Sequence, residues 1–178
     1  TASVGTAPNI CTDTFDITVT VNPKPSIADV TQAICTGNTF TVTPTNTAPD
    51  VVPTGTTYTW TVVAGAVTGA SDQATAQTSI SQTLTNATSN SIVVTYTVTA
   101  SFGTAPNVCT DTFTIAVTVN PEPSIADVVQ TICSGDTFTV TPTNTAPNVV
   151  PTGTTYTWTV AAPAGITGAS NQTTAQTS

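Results

Sequence analysis

The chain repeats itself with a period of 98 residues, and that period limits what it can fold into. GTAPNICTDTF at 5–15 returns as GTAPNVCTDTF at 103–113, with only Ile10 changed, to Val108. Residues 1–22 match 99–120, and residues 22–62 match 120–160. The offset becomes 99 after one extra residue near Pro163. Self-similarity at a fixed spacing marks a repeat architecture, and a unit of about 100 residues is the size of one small β-sandwich. Units begin most naturally at Pro23-Lys24-Pro25 and Pro121-Glu122-Pro123. Such Pro-x-Pro segments are stiff and extended, which suits a joint between domains. The expected division is therefore 1–22 as the C-terminal part of one repeat, 23–120 as a complete repeat, and 121–178 as the N-terminal part of the next. In that frame the chain reads as a window on a longer tandem array.

Hydrophobic periodicity gives the fold class. Phe40 and Val42 alternate with Thr39, Thr41 and Thr43, and Tyr58, Trp60 and Val62 alternate with Thr57, Thr59 and Thr61. Ile92, Val94, Tyr96 and Val98 form a third alternating run, Phe113, Ile115, Val117 and Val119 a fourth, and Ile80 and Leu84 mark a weaker one. An early strand around Ser26–Ile34 and a short one near Ala66–Gly69 bring the total to about seven. Thr makes up roughly a quarter of the sequence. It is β-branched and suits the outer face of a pleated sheet. With turns rich in Gly, Pro and Asn and no helical stripe, the unit is predicted to be an all-β sandwich of two face-to-face sheets. Trp60 falls on the third strand, where an immunoglobulin-like core keeps its Trp. The predicted core comprises Trp60, Tyr58, Tyr96 and Phe113, with Trp158 as the counterpart of Trp60.

Charge removes several functions. One Lys and nine acids give a net charge of −8. Nucleic acids and anionic lipid surfaces both need clustered basic residues, so neither is an expected partner. No stretch approaches the apolar length of a membrane span, so no membrane insertion is expected. Without His, a catalytic triad would need a carboxylate or Lys24 as its base, and Lys24 becomes Glu122 in the next unit. No enzyme activity and no cofactor are expected. Among the acids, only Asp13 with Asp111, and Asp29 with Asp127, recur in matching positions. They are weak calcium candidates, because no EF-hand-like spacing accompanies them. Asn86-Ala-Thr88 and Asn171-Gln-Thr173 fit a glycosylation triplet of a kind frequent by chance in a Thr-rich chain.

The four cysteines contain no Cys-x-x-Cys pair and suit an oxidising, extracellular setting. The first pairing is Cys35 with Cys109 inside one unit. Sandwich topology counts against it, since a first turn and a last hairpin lie about a strand length apart, roughly 30 Å. The alternative is Cys11–Cys35 together with Cys109–Cys133, each across a Pro-x-Pro joint. Unpaired thiols, or partners outside the chain, stay open as a third arrangement.

The turn ICSG at 132–135, the strand YTW at 58–60, the late Cys109 and the VTVNP ending at 117–121 carry a family resemblance. Together they resemble the PKD-like and immunoglobulin-like repeats of giant Bacteroidetes surface adhesins, and are most similar to those of gliding-motility adhesins. A departure is the end of TYTWTVVAGAV, which lacks the acidic turn that PKD-type strands often carry. The resemblance implies β-sandwiches strung end to end into a filament displayed outside the outer membrane. It further implies export by type IX secretion, contact with motility machinery, and attachment to a substratum or surface polysaccharide. The expected function is a structural stalk repeat of a cell-surface adhesin, with neighbouring repeats of the same chain as first partners. A polysaccharide-binding β-sandwich module is the alternative.

Overall fold

A computed structural model describes residues 1–177. It contains eleven strands and, among the described residues, no helix. They are β1 (Ala2–Thr6), β2 (Asn9–Asp13), β3 (Val30–Cys35), β4 (Thr39–Val42), β5 (Thr57–Val63), β6 (Gln73–Gln77), β7 (Ile80–Thr83), β8 (Ile92–Phe102), β9 (Cys109–Asn120), β10 (Tyr156–Trp158) and β11 (Gln172–Gln176). Strands β3 to β9 form an all-β sandwich. A five-stranded sheet in the order β3-β9-β8-β5-β6 packs its inner face against the hairpin-like pair β4-β7.

The strand pairing follows the alternation in the sequence. β8 and β9 are antiparallel over their whole length, from Ile92 opposite Val119 to Phe102 opposite Cys109. This register puts Val94, Tyr96, Val98 and Ala100 on the same face as Phe113, Ile115 and Val117, and all seven are buried. β5 adds Tyr58 and Trp60 to that face, pairing Trp60 with Val98. From the smaller sheet, Phe40, Val42 and Ile80 close the core. Phe40 meets Tyr96 at a ring-centroid distance of 5.0 Å, and Tyr58 meets Phe113 edge-on at 6.4 Å. Such tilted contacts add to the burial of the rings themselves. The opposite face carries threonines, so each strand separates its two chemistries by period two.

Two elements differ from the sequence reading. β6, QATAQ, alternates only Ala with polar residues and lies on the sheet edge with an exposed middle, so it carries no strong period-two signal. The short strand expected near Ala66–Gly69 is a single bridge between Thr68 and Thr85. Gly69 fits there because its φ of +89° suits glycine and a Cβ would collide with the Thr83 carbonyl.

The direction of β3 decides how the chain passes through the sandwich. β3 runs parallel to β9, from Val30 opposite Ile115 to Cys35 opposite Asn120. First and last strands thus point the same way. The chain comes in beside the start of β9 and leaves at its far end, twelve residues on, a separation of roughly 36 Å. The entry side is the proximal end of the sandwich and the exit side its distal end.

Outside this core, the flanking segments are mostly exposed. β1 and β2 form a hairpin, and residues 14–22 join no ladder, leaving Phe15, Ile17, Val19 and Val21 exposed. In residues 121–177, β10 pairs only with β11. Placing Trp158 in a core is therefore corrected: its side chain is 43% exposed. Trp60 is covered by β8, and residues 121–177 contain no counterpart of that strand to cover Trp158.

Candidate functional site

The proximal end is built around the segment that follows Pro23-Lys24-Pro25. Pro25 and Ile27 are buried, and Ser26 bridges to Val51 with backbone bonds of 2.9 and 2.8 Å. The next backbone N–H groups meet carboxylates. Ile27 N donates to Asp111 Oδ2 at 3.0 Å, and Ala28 N donates to Asp50 Oδ1 at 2.9 Å. In the reverse direction, Thr114 N donates to Asp29 Oδ1 at 2.7 Å. Asp29 and Asp111 therefore prolong the β3–β9 seam below the point where its ladder begins. The hydrogen bonds from Thr114 hold the Asp29 carboxyl below its ordinary value.

This arrangement gives two of the recurring acids a structural role. Asp29 and Asp111 each accept a backbone N–H across the seam. Asp13 accepts from the neighbouring Thr14 N at 2.9 Å, and Asp127 is exposed. Among the described residues no group of three or more His, Cys, Asp or Glu converges as a metal site. Of the four recurring acids, Asp29 and Asp111 are latches for the incoming chain.

The cysteines separate to the two ends. At the distal end Cys35 is exposed and stands opposite Asn120 in the ladder. At the proximal end Cys109 is partly exposed, with its Sγ 3.9 Å from the Asn22 carbonyl oxygen. Cys35 and Cys109 are thus separated by about the length of β9, roughly 36 Å, against a limit of about 7 Å between bridged Cα atoms. The internal Cys35–Cys109 pairing is corrected on that ground. Cys11 and Cys133 are exposed thiols as well, so the alternative pairs Cys11–Cys35 and Cys109–Cys133 are not formed either. Cys11 repeats Cys109 and Cys133 repeats Cys35, so each alternative joins a late-cysteine position to an early-cysteine one.

Asn86 matters to the fold in a way the sequence did not suggest. It is buried, and its Nδ2 donates to the carbonyls of Asn90 and Val119 at 2.8 and 2.9 Å. Its Oδ1 accepts from Thr88 N and Thr88 Oγ1, while its backbone N donates to Thr36 Oγ1 at 2.7 Å. The Asn-x-Thr triplet is here a knot tying the β3–β4 turn, the β7–β8 connection and the end of β9. With its amide spent, Asn86 in the folded unit offers no glycan acceptor. Asn171 is exposed, and its Oδ1 accepts from Val160 N at 2.7 Å. The Asx-turn chemistry of Asn-x-Thr is the one signal that could have pointed to this role.

A second polar thread crosses the sandwich. Tyr96 Oη donates to Gln82 Oε1 at 2.8 Å, Gln82 Nε2 donates to the Ser71 carbonyl at 2.8 Å, and Trp60 Nε1 donates to the same carbonyl at 3.0 Å. Burial pushes the Tyr96 phenol up to about 12. Tyr58 is also raised, by burial and by the nearby Asp50 charge. No buried side-chain nitrogen or oxygen among the described residues lacks a partner. The rings of Tyr58, Trp60, Tyr96 and Phe113 are all buried, so none of them offers a face for stacking on a sugar.

The profile of the PKD-like domain matches residues 32–123, from within β3 to just past the end of β9. The chain belongs to the PKD-like domain family. No curated protein and no solved structure matches it. The matched stretch contains nearly all of the sandwich and its distal end, and stops at Pro123 of the second Pro-x-Pro. A PKD-like domain is a structural, immunoglobulin-type fold.

Proposed function

We propose that this chain is a stalk segment of a large secreted cell-surface adhesin, in which PKD-like units follow one another end to end as a thin filament. The observation that carries this reading is the parallel pairing of β3 with β9, which brings the chain in at one end of the sandwich and out at the other. A unit so threaded extends a rod by about its own length for each period. Repeat proteins of this kind draw their stability from units and the contacts between neighbours. Thr-covered faces with almost no basic residues suit an exposed spacer outside the cell, with attachment carried at another part of the filament or spread over many weak contacts. In its finest form the reading is of a gliding-motility adhesin, exported by type IX secretion, moved by surface machinery and gripping substratum or polysaccharide.

Electron microscopy of cells bearing the parent protein, labelled with antibody to this segment, tests the reading. Labelled filaments one domain wide and many units long are the expected result, and label that travels with moving cells would add the gliding role. Label confined to a compact coat or to soluble secreted material contradicts it. Saturable binding of the isolated chain to a defined glycan would instead favour the polysaccharide-binding module.

A further inference from the structure

The two cysteines of the complete unit both attend the same kind of residue, the Asn at a joint. At the distal end Cys35 pairs with Asn120 in the ladder, and Thr36 N donates to the Asn120 carbonyl at 2.8 Å. At the proximal end the Cys109 thiol reaches the Asn22 carbonyl at 3.9 Å. Asn22 and Asn120 are the same position of the repeat, each placed immediately before a Pro-x-Pro. Where one complete unit follows another, the joint Asn therefore has the early cysteine of the first unit beside it and the late cysteine of the second at its carbonyl. The chain displays each half of that arrangement once, at different joints.

The distances are compatible with a bond. Paired strands lie about 4.8 Å apart, which sets the offset of Cys35 from Asn120. The late sulfur sits within hydrogen-bond range of the same residue's counterpart. Both cysteines then flank one residue, and the staple closes where the joint holds their Cα atoms within the range of about 4.4–6.8 Å that a disulfide needs, side-chain rotation bringing the sulfurs together. We propose that successive units are stapled by a disulfide from the early cysteine of one, at the position of Cys35, to the late cysteine of the next, at the position of Cys109. The proposal rests on the end-to-end reading above. It also accounts for cysteines held at opposite ends of a sandwich they cannot bridge.

The chemistry is thiol–disulfide exchange. The thiolate of one cysteine attacks a low-molecular-weight disulfide, forming a mixed disulfide and expelling one small thiol. The second cysteine's thiolate then attacks the protein sulfur of that mixed disulfide and expels the second small thiol. Two protein thiols are oxidised to one disulfide, and one small disulfide is reduced to two thiols. Cys35 is exposed and Cys109 partly so, and both can be reached.

The test uses the full chain lengthened by a second copy of its own residues 80–178 placed after Ser178. Ser178 repeats Ser79, so this completes a second unit and supplies the late cysteine that would face Cys35. After refolding with reduced and oxidised glutathione, free thiols are alkylated and the chymotryptic peptides are mapped without reduction. The expected result is a cross-link between the Cys35 peptide and the appended copy of the Cys109 peptide. In the Cys35→Ser variant the appended cysteine should instead be alkylated. Alkylated Cys35, or Cys35 joined to Cys109 of its own unit, overturns the proposal. Small-angle scattering of the reduced, lengthened chain separates the two failures. An extended particle with alkylated Cys35 removes the staple alone, whereas a compact particle with its units side by side removes the end-to-end reading too.

Discussion

Residues 39–62 and 137–160 are the same peptide except for Asp50, which becomes Asn148, yet they live in different surroundings. Their turns are alike. Val52 N donates to Asn46 Oδ1 and Val150 N to Asn144 Oδ1, both at 3.0 Å. Thr56 and Thr154 each donate Oγ1–H to a proline carbonyl at 2.7 Å. Burial is not alike. Phe40 is 2% exposed and Phe138 66%. The shallow hollow of about 190 Å³ lined by Val128, Ile132, Phe138 and Val140 is the face that β9 and β8 cover in the complete unit. At the other end of the chain the comparison repeats, since TFDITVTVN at 14–22 is mostly exposed where TFTIAVTVN at 112–120 lies in β9, an inner strand of the sheet. Turn geometry is thus held by groups a few residues apart, and burial by strands that lie far apart in the chain.

The largest test of that contrast is a matched pair of truncations. Phe113→Ala should destabilise the sandwich by about 3–5 kcal/mol, because Phe113 packs on Tyr58 within the core. Phe15→Ala, the same change in the exposed copy, should lie within about 0.5 kcal/mol of the parent. Urea unfolding followed by tryptophan fluorescence measures both, and equal losses would refute the difference in packing. Next in size is Asn86→Ala, which leaves the Val119 carbonyl without its donor and should cost about 1–3 kcal/mol. Asn144→Ala, at a turn outside the core, should leave the same unfolding midpoint unchanged.

Tyr96→Phe removes one bond to Gln82 and should cost about 0.5–1.5 kcal/mol. The phenol also sets an alkaline limit. Its folded pKa of about 12 lies above the ordinary 10.0, so the fold favours the protonated ring. That stabilisation is complete below about pH 10 and is lost as pH rises through 12. Ultraviolet titration should show a late-ionising tyrosine that is missing in Tyr96→Phe. The smallest effect is expected from Asp29→Asn. The Asp29 carboxyl is lowered in the fold, so its contribution is present above the ordinary carboxylate pKa and lost as pH falls through the folded one. The variant's urea midpoint should trail the parent near neutral pH and converge with it in acid, below the ordinary carboxylate range. Asp127→Asn, the exposed counterpart, should show no gap at either pH.

Much of the fold was legible because β-alternation is local. The runs Tyr58–Val62, Ile92–Val98 and Phe113–Val119 each announce a strand and its inward face. β6 was not legible, since QATAQ on a sheet edge needs no large apolar residue and carries none beyond Ala. Nor were the latches, because a carboxylate that meets an N–H 85 residues away, as Asp29 meets Thr114, leaves no spacing rule behind. The cysteines show both sides of this limit. Strand counting argued that Cys35 and Cys109 lie a strand length apart, whereas only the parallel seam of β3 and β9 shows which end each occupies. In the sequence Asn86 shows only as part of a glycosylation triplet frequent by chance, because its three partner segments meet only in the folded sandwich.

Two segments that differ at only two positions are a buried strand at 112–119 and an exposed segment at 14–21, because only the first has β3 and β8 beside it. Amide hydrogen exchange resolved over these two segments tests it most directly. The expected result is slow, cooperative exchange across 112–119, with protection near that of global unfolding, and exchange close to the unprotected rate across 14–21. Comparable protection in the two segments would contradict it.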